Sequence, residues 1–168
     1  MITINQPLKI SSNQYFDNRG SFVKFFSQFA FDTKEIFYTN SKKNTIRGMH
    51  FQSPPFAQNK IVHVVKGEIM DVLLDLRVDS NTYGKYTTYN LKEGGDSLYV
   101  PKGFAHGFTS KIENTIVLYL VDSEYSKDHD VGIKYNSFGY DWEVKDAIIS
   151  DRDQDHQNFE DYKSPFFT

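Results

Sequence analysis

Three short segments hold most of the side chains that could do chemistry: RGMHFQ (47–52), NKIVHVVKGEIMDVLLDLR (59–77) and YVPKGFAHGF (99–108). His50 is a candidate base, since an imidazole titrates at roughly 6.5 and can take a proton near neutral pH. Arg47 and His50 are three residues apart, so a regular strand would point them to opposite faces. Both reach one pocket only if Gly48 permits a bulge or a ligand wraps around the strand edge. Asp71 falls in the apolar run EIMDVLLDL, where burying a carboxylate costs roughly several kcal/mol unless it is paired or hydrogen-bonded. It either bonds a neighbouring side chain and shapes the core, or lines an enclosed site. His63, among valines, reads as structural. Taken alone, Tyr119 is a half-buried strand tyrosine and Asp153 a solvated charge in a polar tail. His129 and His156 sit in charged loops and are expected at the surface.

These residues need a β scaffold to hold them. Short β-branched and aromatic runs separated by turn residues predict strands over 21–26, 35–39, 45–51, 60–66, 68–76, 85–91, 97–100, 104–109 and 115–121, which favours a sandwich or barrel. Alternation in EIMDVLLDL places Ile69, Asp71, Leu73 and Asp75 on one face and Met70, Val72, Leu74 and Leu76 on the other. Both faces are largely apolar, so this strand is expected to be central. Gly67 is expected to close a hairpin between 60–66 and 68–76, because glycine tolerates the positive φ of a tight turn. Short helices are expected only at 29–35 and within 140–168. The tail DRDQDHQNFEDYKS reads as a polar surface cap with little core to offer.

The 168 residues are 39% hydrophobic and 24% charged, a composition that suits one domain, 1–168, with a proper core. With no cysteine in the chain there is no disulfide, thiolate nucleophile or Cys-based metal site. A net charge of −3 argues against a broad nucleic-acid surface but leaves room for a local basic pocket. No signal peptide and no apolar run near the roughly 20 residues that span a bilayer are present, so the chain reads as soluble and cytoplasmic, with no membrane partner. Aromatics reach 16%, with 15 Phe, 11 Tyr and 1 Trp. They must pack a core, stack on a ligand or fill an oligomer interface.

Taken together, His50-x-Gln52, Lys60 before Gly67, and Pro101-x-Gly103-x-x-His106 resemble the two-part motif of the cupin barrels. That resemblance implies an all-β, cupin-type double-stranded β-helix or jelly-roll barrel with a few short peripheral helices. Metal-binding cupins carry a second histidine where this chain has Gln52 and a glutamate where it has Lys60. An ammonium in the first shell repels a divalent ion, so the site is expected to be a cupin site without its metal, and no metal-binding residues are expected. Within the superfamily, Arg47-Gly48-Met49-His50-Phe51-Gln52, Gly67-Glu68-x-x-Asp71-Val72-x-x-Asp75-Leu76-Arg77 and Pro101-x-Gly103-Phe104-Ala105-His106-Gly107-Phe108 resemble the dTDP-4-dehydrorhamnose 3,5-epimerase family. Asp17-x-Arg19-Gly20-x-Phe22 and Ser150-x-x-Asp153 resemble its flanking motifs, so the likeness covers nearly the whole chain.

The resemblance implies inversion of C3 and/or C5 of a nucleotide-linked, dTDP-type 4-keto-6-deoxy sugar, within deoxysugar or surface-polysaccharide synthesis. It implies that His50 is the base, Asp153 its orienting carboxylate, Tyr119 the acid on the opposite face and Lys60 the enolate stabiliser, with Asp71 paired to Lys60. It also implies that Arg19 and Arg47 contact the diphosphate, that Phe22 and Tyr125 stack near the nucleotide, and that Asn40, Gln52 and His106 contribute to substrate binding. No cofactor is implied, because the ketone is itself the electron sink. A homodimer is implied, with an N-terminal strand added to the partner's sheet. Lys24, Tyr38-Thr39-Asn40 and Asp130 depart from the family pattern, which points to altered sugar or nucleotide recognition. A 3,4-ketoisomerase on a similar sugar, or a non-catalytic sugar-nucleotide-binding cupin, are the competing readings.

Overall fold

The computed structural model describes residues 4–25 and 30–168. Phe26, the end of the predicted strand 21–26, and Phe29, the start of the predicted helix 29–35, lie outside the described residues. The described part of 29–35 is irregular up to Lys34 and enters a strand at Glu35. Twelve strands are present among the described residues: β1 (Leu8–Ile10), β2 (Asn13–Asp17), β3 (Gly20–Lys24), β4 (Glu35–Ser41), β5 (Ile46–Gln52), β6 (Lys60–Lys66), β7 (Glu68–Asp75), β8 (Tyr86–Lys92), β9 (Ser97–Val100), β10 (Phe104–Ser110), β11 (Thr115–Val121) and β12 (Asp130–Gly132). One short helix, α1 (Asp151–Gln154), and a 3-10 turn at Phe159–Asp161 follow. Two five-stranded antiparallel sheets face each other, in the orders β1-β9-β6-β11-β4 and β12-β5-β10-β7-β8, and β2 and β3 form a separate hairpin. This is the cupin-type β-sandwich.

The two faces of β7 behave as their alternation requires. Ile69 and Leu73 point between the sheets and pack with Val62, Val64, Leu98, Phe108 and Val117. Val72 and Leu74 point outward, yet they are fully buried, because the C-terminal segment lays Phe138, Trp142 and Phe166 over them. The tail is therefore more than a polar cap: Phe159 and Tyr162 also pack on this outer core, and Asp153 is buried. Its apolar residues are widely spaced, so neither strand nor helix periodicity reveals the face they form.

Gly67 does not close a hairpin. β6 pairs with β9 and β11 in one sheet, whereas β7 pairs with β8 and β10 in the other. Gly67, at φ +92°, is the corner where the chain crosses between sheets, and a Cβ there would stand 2.4 Å from Thr115 Oγ1. A one-residue link at positive φ signals a sharp change of direction without saying which strands will pair across it.

A buried ion pair also steadies the sandwich at the end of β7. Arg77 grips Asp75 with two parallel hydrogen bonds, Nε to Oδ1 at 2.9 Å and Nη2 to Oδ2 at 2.6 Å, and lies 4.5 Å over the Phe104 ring. The fork geometry satisfies both charges where water cannot.

Candidate active site

A cavity of about 400 Å³ opens between the two sheets and is lined by His50, Lys60, His106 and Tyr119, with Arg47, Tyr125, Asp130 and Arg152 toward its mouth. Its walls are fixed by a bulge in β5. His106 of β10 lies opposite His50, but Phe108 lies opposite Arg47, so Gly48 and Met49 together face one residue, Gly107. Gly48 adopts φ +130°, and a Cβ on it would come within 2.5 Å of the Gly107 Cα. The extra residue restores phase, and Arg47 and His50 both face the cavity.

His50 is half-buried, and its Nε2 is 2.8 Å from Asp153 Oδ1. The other Asp153 oxygen accepts the Gly48 amide at 2.9 Å, and Ser150 caps α1 by accepting the Asp153 amide at 3.2 Å. Burial alone would raise the Asp153 pKa. The bond and charge of His50, with the Gly48 amide and Ser150, outweigh it and hold the carboxyl at about 2. Asp153 is thus an anion that fixes the imidazole's orientation from Nε2 and leaves Nδ1 as the nitrogen able to take a proton. The tail reaches this position because it is tied back to the sheets: the Ile46 amide donates to the Ile148 carbonyl at 3.0 Å, and the Lys134 amide to the Gln157 carbonyl at 2.8 Å.

Across the cavity, β6 supplies Lys60 and β11 supplies Tyr119. Desolvation lowers the Lys60 pKa to about 8, against the opposing charges of Asp130 and Asp71. Tyr119 is buried, stacked 5.0 Å from Phe37 and edge-on to His106 at 6.0 Å. Its pKa is pushed well up, first by burial and then by the Asp71 charge, so the phenol stays protonated. Asp71 does not pair with Lys60 as expected. Its Oδ2 is bonded to His106 Nε2 at 2.7 Å, both groups being buried, and Oδ1 has no hydrogen-bond partner. Asp71 therefore reaches Lys60 only through space.

The remaining expected residues divide. Arg47 donates to Ser41 Oγ at 3.0 Å and more weakly to the Asn40 carbonyl, both neutral acceptors, so its charge remains available to an anion. Tyr125 is exposed at the mouth, its hydroxyl 3.3 Å from Asp130 Oδ2. Gln52 lines the cavity but its side chain is fully engaged: Nε2 donates to the carbonyls of Phe56 and Glu124 at 2.9 and 3.0 Å, and Oε1 accepts the Ser126 amide at 2.7 Å. It clamps two loops. Asn40 lies on an adjoining depression beside Asp153. Arg19 and Phe22 are not brought to the cavity; they project from the β2–β3 hairpin, where Arg19 is 85% exposed and pairs with Asp17 at 2.6 Å.

Sequence reasoning did not anticipate where Phe37, Arg152 and His156 lie. Phe37 stacks on Tyr119 from the neighbouring strand, a relation set by register. Arg152 lies 2.7 Å from Asp130 and sits inside the Ser150-x-x-Asp153 motif, which is the signal that marks it. His156, expected at the surface, is largely buried beside His50, with 5.6 Å between ring centroids. His129 is half-buried too, 4.8 Å from the Phe56 ring. His63 is structural: burial lowers its pKa to about 4 and Ser97 Oγ lies 3.0 Å from its Nδ1.

Comparison with known proteins points to one family. The family model described as dTDP-4-dehydrorhamnose 3,5-epimerase matches residues 1–161. The chain is 36% identical to the dTDP-4-dehydrorhamnose 3,5-epimerase of Shigella flexneri over 156 residues, covering 86% of each chain. It is also 36% identical to that of Methanothermobacter thermautotrophicus, covering 90% of this chain and 89% of the other. A crystal structure of the Bacillus anthracis enzyme, with TDP and PPi bound, superposes with a TM-score of 0.86 at 35% identity, covering 94% and 97% of the two chains.

Proposed function

Because this chain belongs to the dTDP-4-dehydrorhamnose 3,5-epimerase family, we propose that it inverts C3 and/or C5 of a dTDP-linked 4-keto-6-deoxy sugar by deprotonation and reprotonation through an enolate. The observation that carries the reading is that a histidine–carboxylate pair and a protonated tyrosine stand on opposite sheets of one cavity, with a lysine beside the tyrosine. Inversion needs that arrangement: a base on one face of the sugar, an acid on the other and a cation at the developing oxygen.

His50 Nδ1 takes the proton next to the C4 ketone, and the electron pair of the broken C–H bond moves into the enolate. Asp153 stabilises the imidazolium that results. Lys60 places its ammonium at the enolate oxygen, where burial makes the charge count for more than it would in water. Tyr119 then delivers its proton to the opposite face of the same carbon. The imidazolium and the tyrosinate return to their starting states by exchange with solvent, so each inversion carries in one solvent hydrogen. His106, held by Asp71, keeps the cavity floor rigid beneath Tyr119. Arg47 holds the diphosphate, and Tyr125 flanks the base at the mouth.

Two features support a homodimer. β4 is an outer strand of its sheet with Ile36 and Tyr38 exposed, and the β2–β3 hairpin exposes Tyr15, Phe16 and Phe22. Such edges and patches need covering. In a dimer the hairpin of one protomer carries Arg19 and Phe22 to its partner's cavity, which gives these two residues the binding role that their own cavity does not.

Incubation with dTDP-4-keto-6-deoxyglucose in deuterium oxide, followed by NMR, tests the reading. Deuterium is expected at C3, and at C5 as well if both centres are inverted. His50→Ala abolishes exchange and His129→Ala leaves it near the original rate. Absence of exchange with this sugar and its close keto relatives would overturn the assignment.

A further inference from the structure

His156 has no part in the chemistry above, yet the tail carries it to the back of the His50–Asp153 pair. Its Nε2 is buried without a hydrogen-bond partner and lies 3.9 Å from Asp153 Oδ1. Its ring stands edge-on to His50, at 78° between planes. The position is built by the chain around it. Gly132 of β12 leaves the space the imidazole occupies, since a Cβ there would stand 2.4 Å from His156 Nε2, and the next residue, Gln157, is bonded through its carbonyl to Lys134. Three ligating atoms, one each from His50, Asp153 and His156, consequently lie within 4.8 Å of one another.

From this cluster we infer that His50, Asp153 and His156 form a site for a divalent transition ion of the zinc type, and that filling it switches the base off. Two imidazoles and a carboxylate are the donor set such ions favour, with a fourth position left for water. Magnesium and calcium prefer all-oxygen shells and are disfavoured. Bonds of about 2.0–2.2 Å set tetrahedral ligand atoms about 3.3 Å apart, so the 3.9 Å gap between Asp153 and His156 closes by less than an ångström and the 2.8 Å gap between His50 and Asp153 opens slightly. The site lies behind His50, on its Asp153 side, and not at the Lys60 position.

The effect on the base follows from proton bookkeeping. In the free pair the Nε2 proton of neutral His50 is directed at Asp153, and Nδ1 holds the lone pair. An ion on Nε2 requires that proton to move to Nδ1; none is lost, but Nδ1 can no longer accept one from the sugar. His156 presents its Nε2 lone pair as the neutral tautomer protonated at Nδ1.

The test uses protein dialysed against a chelator. Zinc titration by calorimetry is expected to show one ion per chain, cobalt(II) to give the visible absorption of a four-coordinate nitrogen–oxygen site, and stoichiometric zinc to suppress sugar deuteration until EDTA is added. Both His156→Ala and His156→Gln keep the metal-free exchange rate but lose at least ~10-fold in zinc affinity, since even outer-shell changes cost that much. Two different replacements separate loss of a ligand from loss of fold, which circular dichroism monitors. No zinc binding, binding that both variants retain, or binding that leaves exchange untouched would overturn the inference. The calorimetric and cobalt measurements need no substrate, so they decide the site even if the epimerase assignment fails.

Discussion

At the scale of single residues, two charges divide the work. Asp153 is held ionised with a pKa of about 2, and its value to His50 lies in that charge more than in its shape. Asp153→Asn keeps the volume and an acceptor oxygen but removes the anion that orients and stabilises the imidazolium. It is expected to slow C3 deuteration by about 10²–10⁴-fold with little change in fold. A rate within a few-fold of the original would mean that Asp153 only caps the bulge. In the proposed reaction Lys60 works at the other end. With its pKa lowered to about 8, the ammonium is present at neutral pH and is lost above 8, so the exchange rate should fall on the alkaline side with an apparent pKa near that value. Lys60→Arg lowers the rate but moves this limb upward, because guanidinium stays charged past about pH 12; an unmoved limb would assign it to another group. The linkage has a definite sign. A lysine whose folded pKa lies below its unfolded value disfavours folding while both states are protonated, and that cost is relieved as pH rises from about 8 toward 10.5. Residue type and motif singled out His50 and Lys60, and the structure brings both to one cavity. The Asp71–His106 bond was not, because it depends on which rotamers face each other across β7 and β10, and sequence spacing carries nothing about that.

At the scale of elements, the strands were readable and their partners were less so. Alternation located β5, β6, β7, β10 and β11 to within a residue or two, since each has β-branched and aromatic residues bounded by turns. The sheets they join are decided by corners such as Gly67, whose sequence signature is the same for a hairpin as for a crossing. The bulge at Gly48 is different. It was one of two ways for Arg47 and His50 to share a pocket, the other being a ligand wrapped around the strand edge, and the register shift occurs there. Its dependence on glycine is testable. Gly48→Ala places a methyl group 2.5 Å from the Gly107 Cα at φ +130°. It should cost about 2–4 kcal/mol of stability from backbone strain and overpacking together, read as a lowered urea midpoint. Exchange should fall further than stability explains, since relief of the clash re-aims either Arg47 or His50. A fully active, fully stable variant would show that the bulge is not needed. β1, β2 and β12 escaped prediction for a related reason: β2 is exposed on both faces and the other two are three residues long, so none has a buried face long enough to impose a period on its sequence.

At the scale of the whole molecule, the aromatic excess and the modest net charge acquire locations. Phe138, Trp142 and Phe166 seal the outer face of one sheet, and Phe108 and Tyr119 fill the barrel. Tyr15, Phe16, Phe22, Ile36 and Tyr38 remain exposed. The overall charge of −3 coexists with a cavity lined by Arg47, Lys60 and Arg152 together with Glu35 and Asp130, and Arg152 is paired with Asp130, so the charge open to a diphosphate in the proposed reaction is chiefly that of Arg47 and Lys60. Among the exposed apolar residues, Tyr15, Phe16 and Phe22 lie on the hairpin and Ile36, Phe37 and Tyr38 on the outer strand β4, the surfaces that the proposed homodimer would cover. Light scattering at micromolar concentration is therefore expected to give twice the mass of the 19.5 kDa chain. Ile36→Lys puts a charge on that strand, a common way of blunting an edge, and should shift the equilibrium toward monomer by at least ~10-fold. Because Arg19 is assigned to the partner's cavity, dilution of this variant should raise KM for the nucleotide sugar more than it lowers kcat: the base, acid and lysine all belong to one chain, whereas a diphosphate contact does not. Arg19→Ala in the intact dimer should reproduce the same rise in KM. If Ile36→Lys is monomeric with unchanged KM, each cavity is complete in a single chain, and the hairpin aromatics serve some other contact.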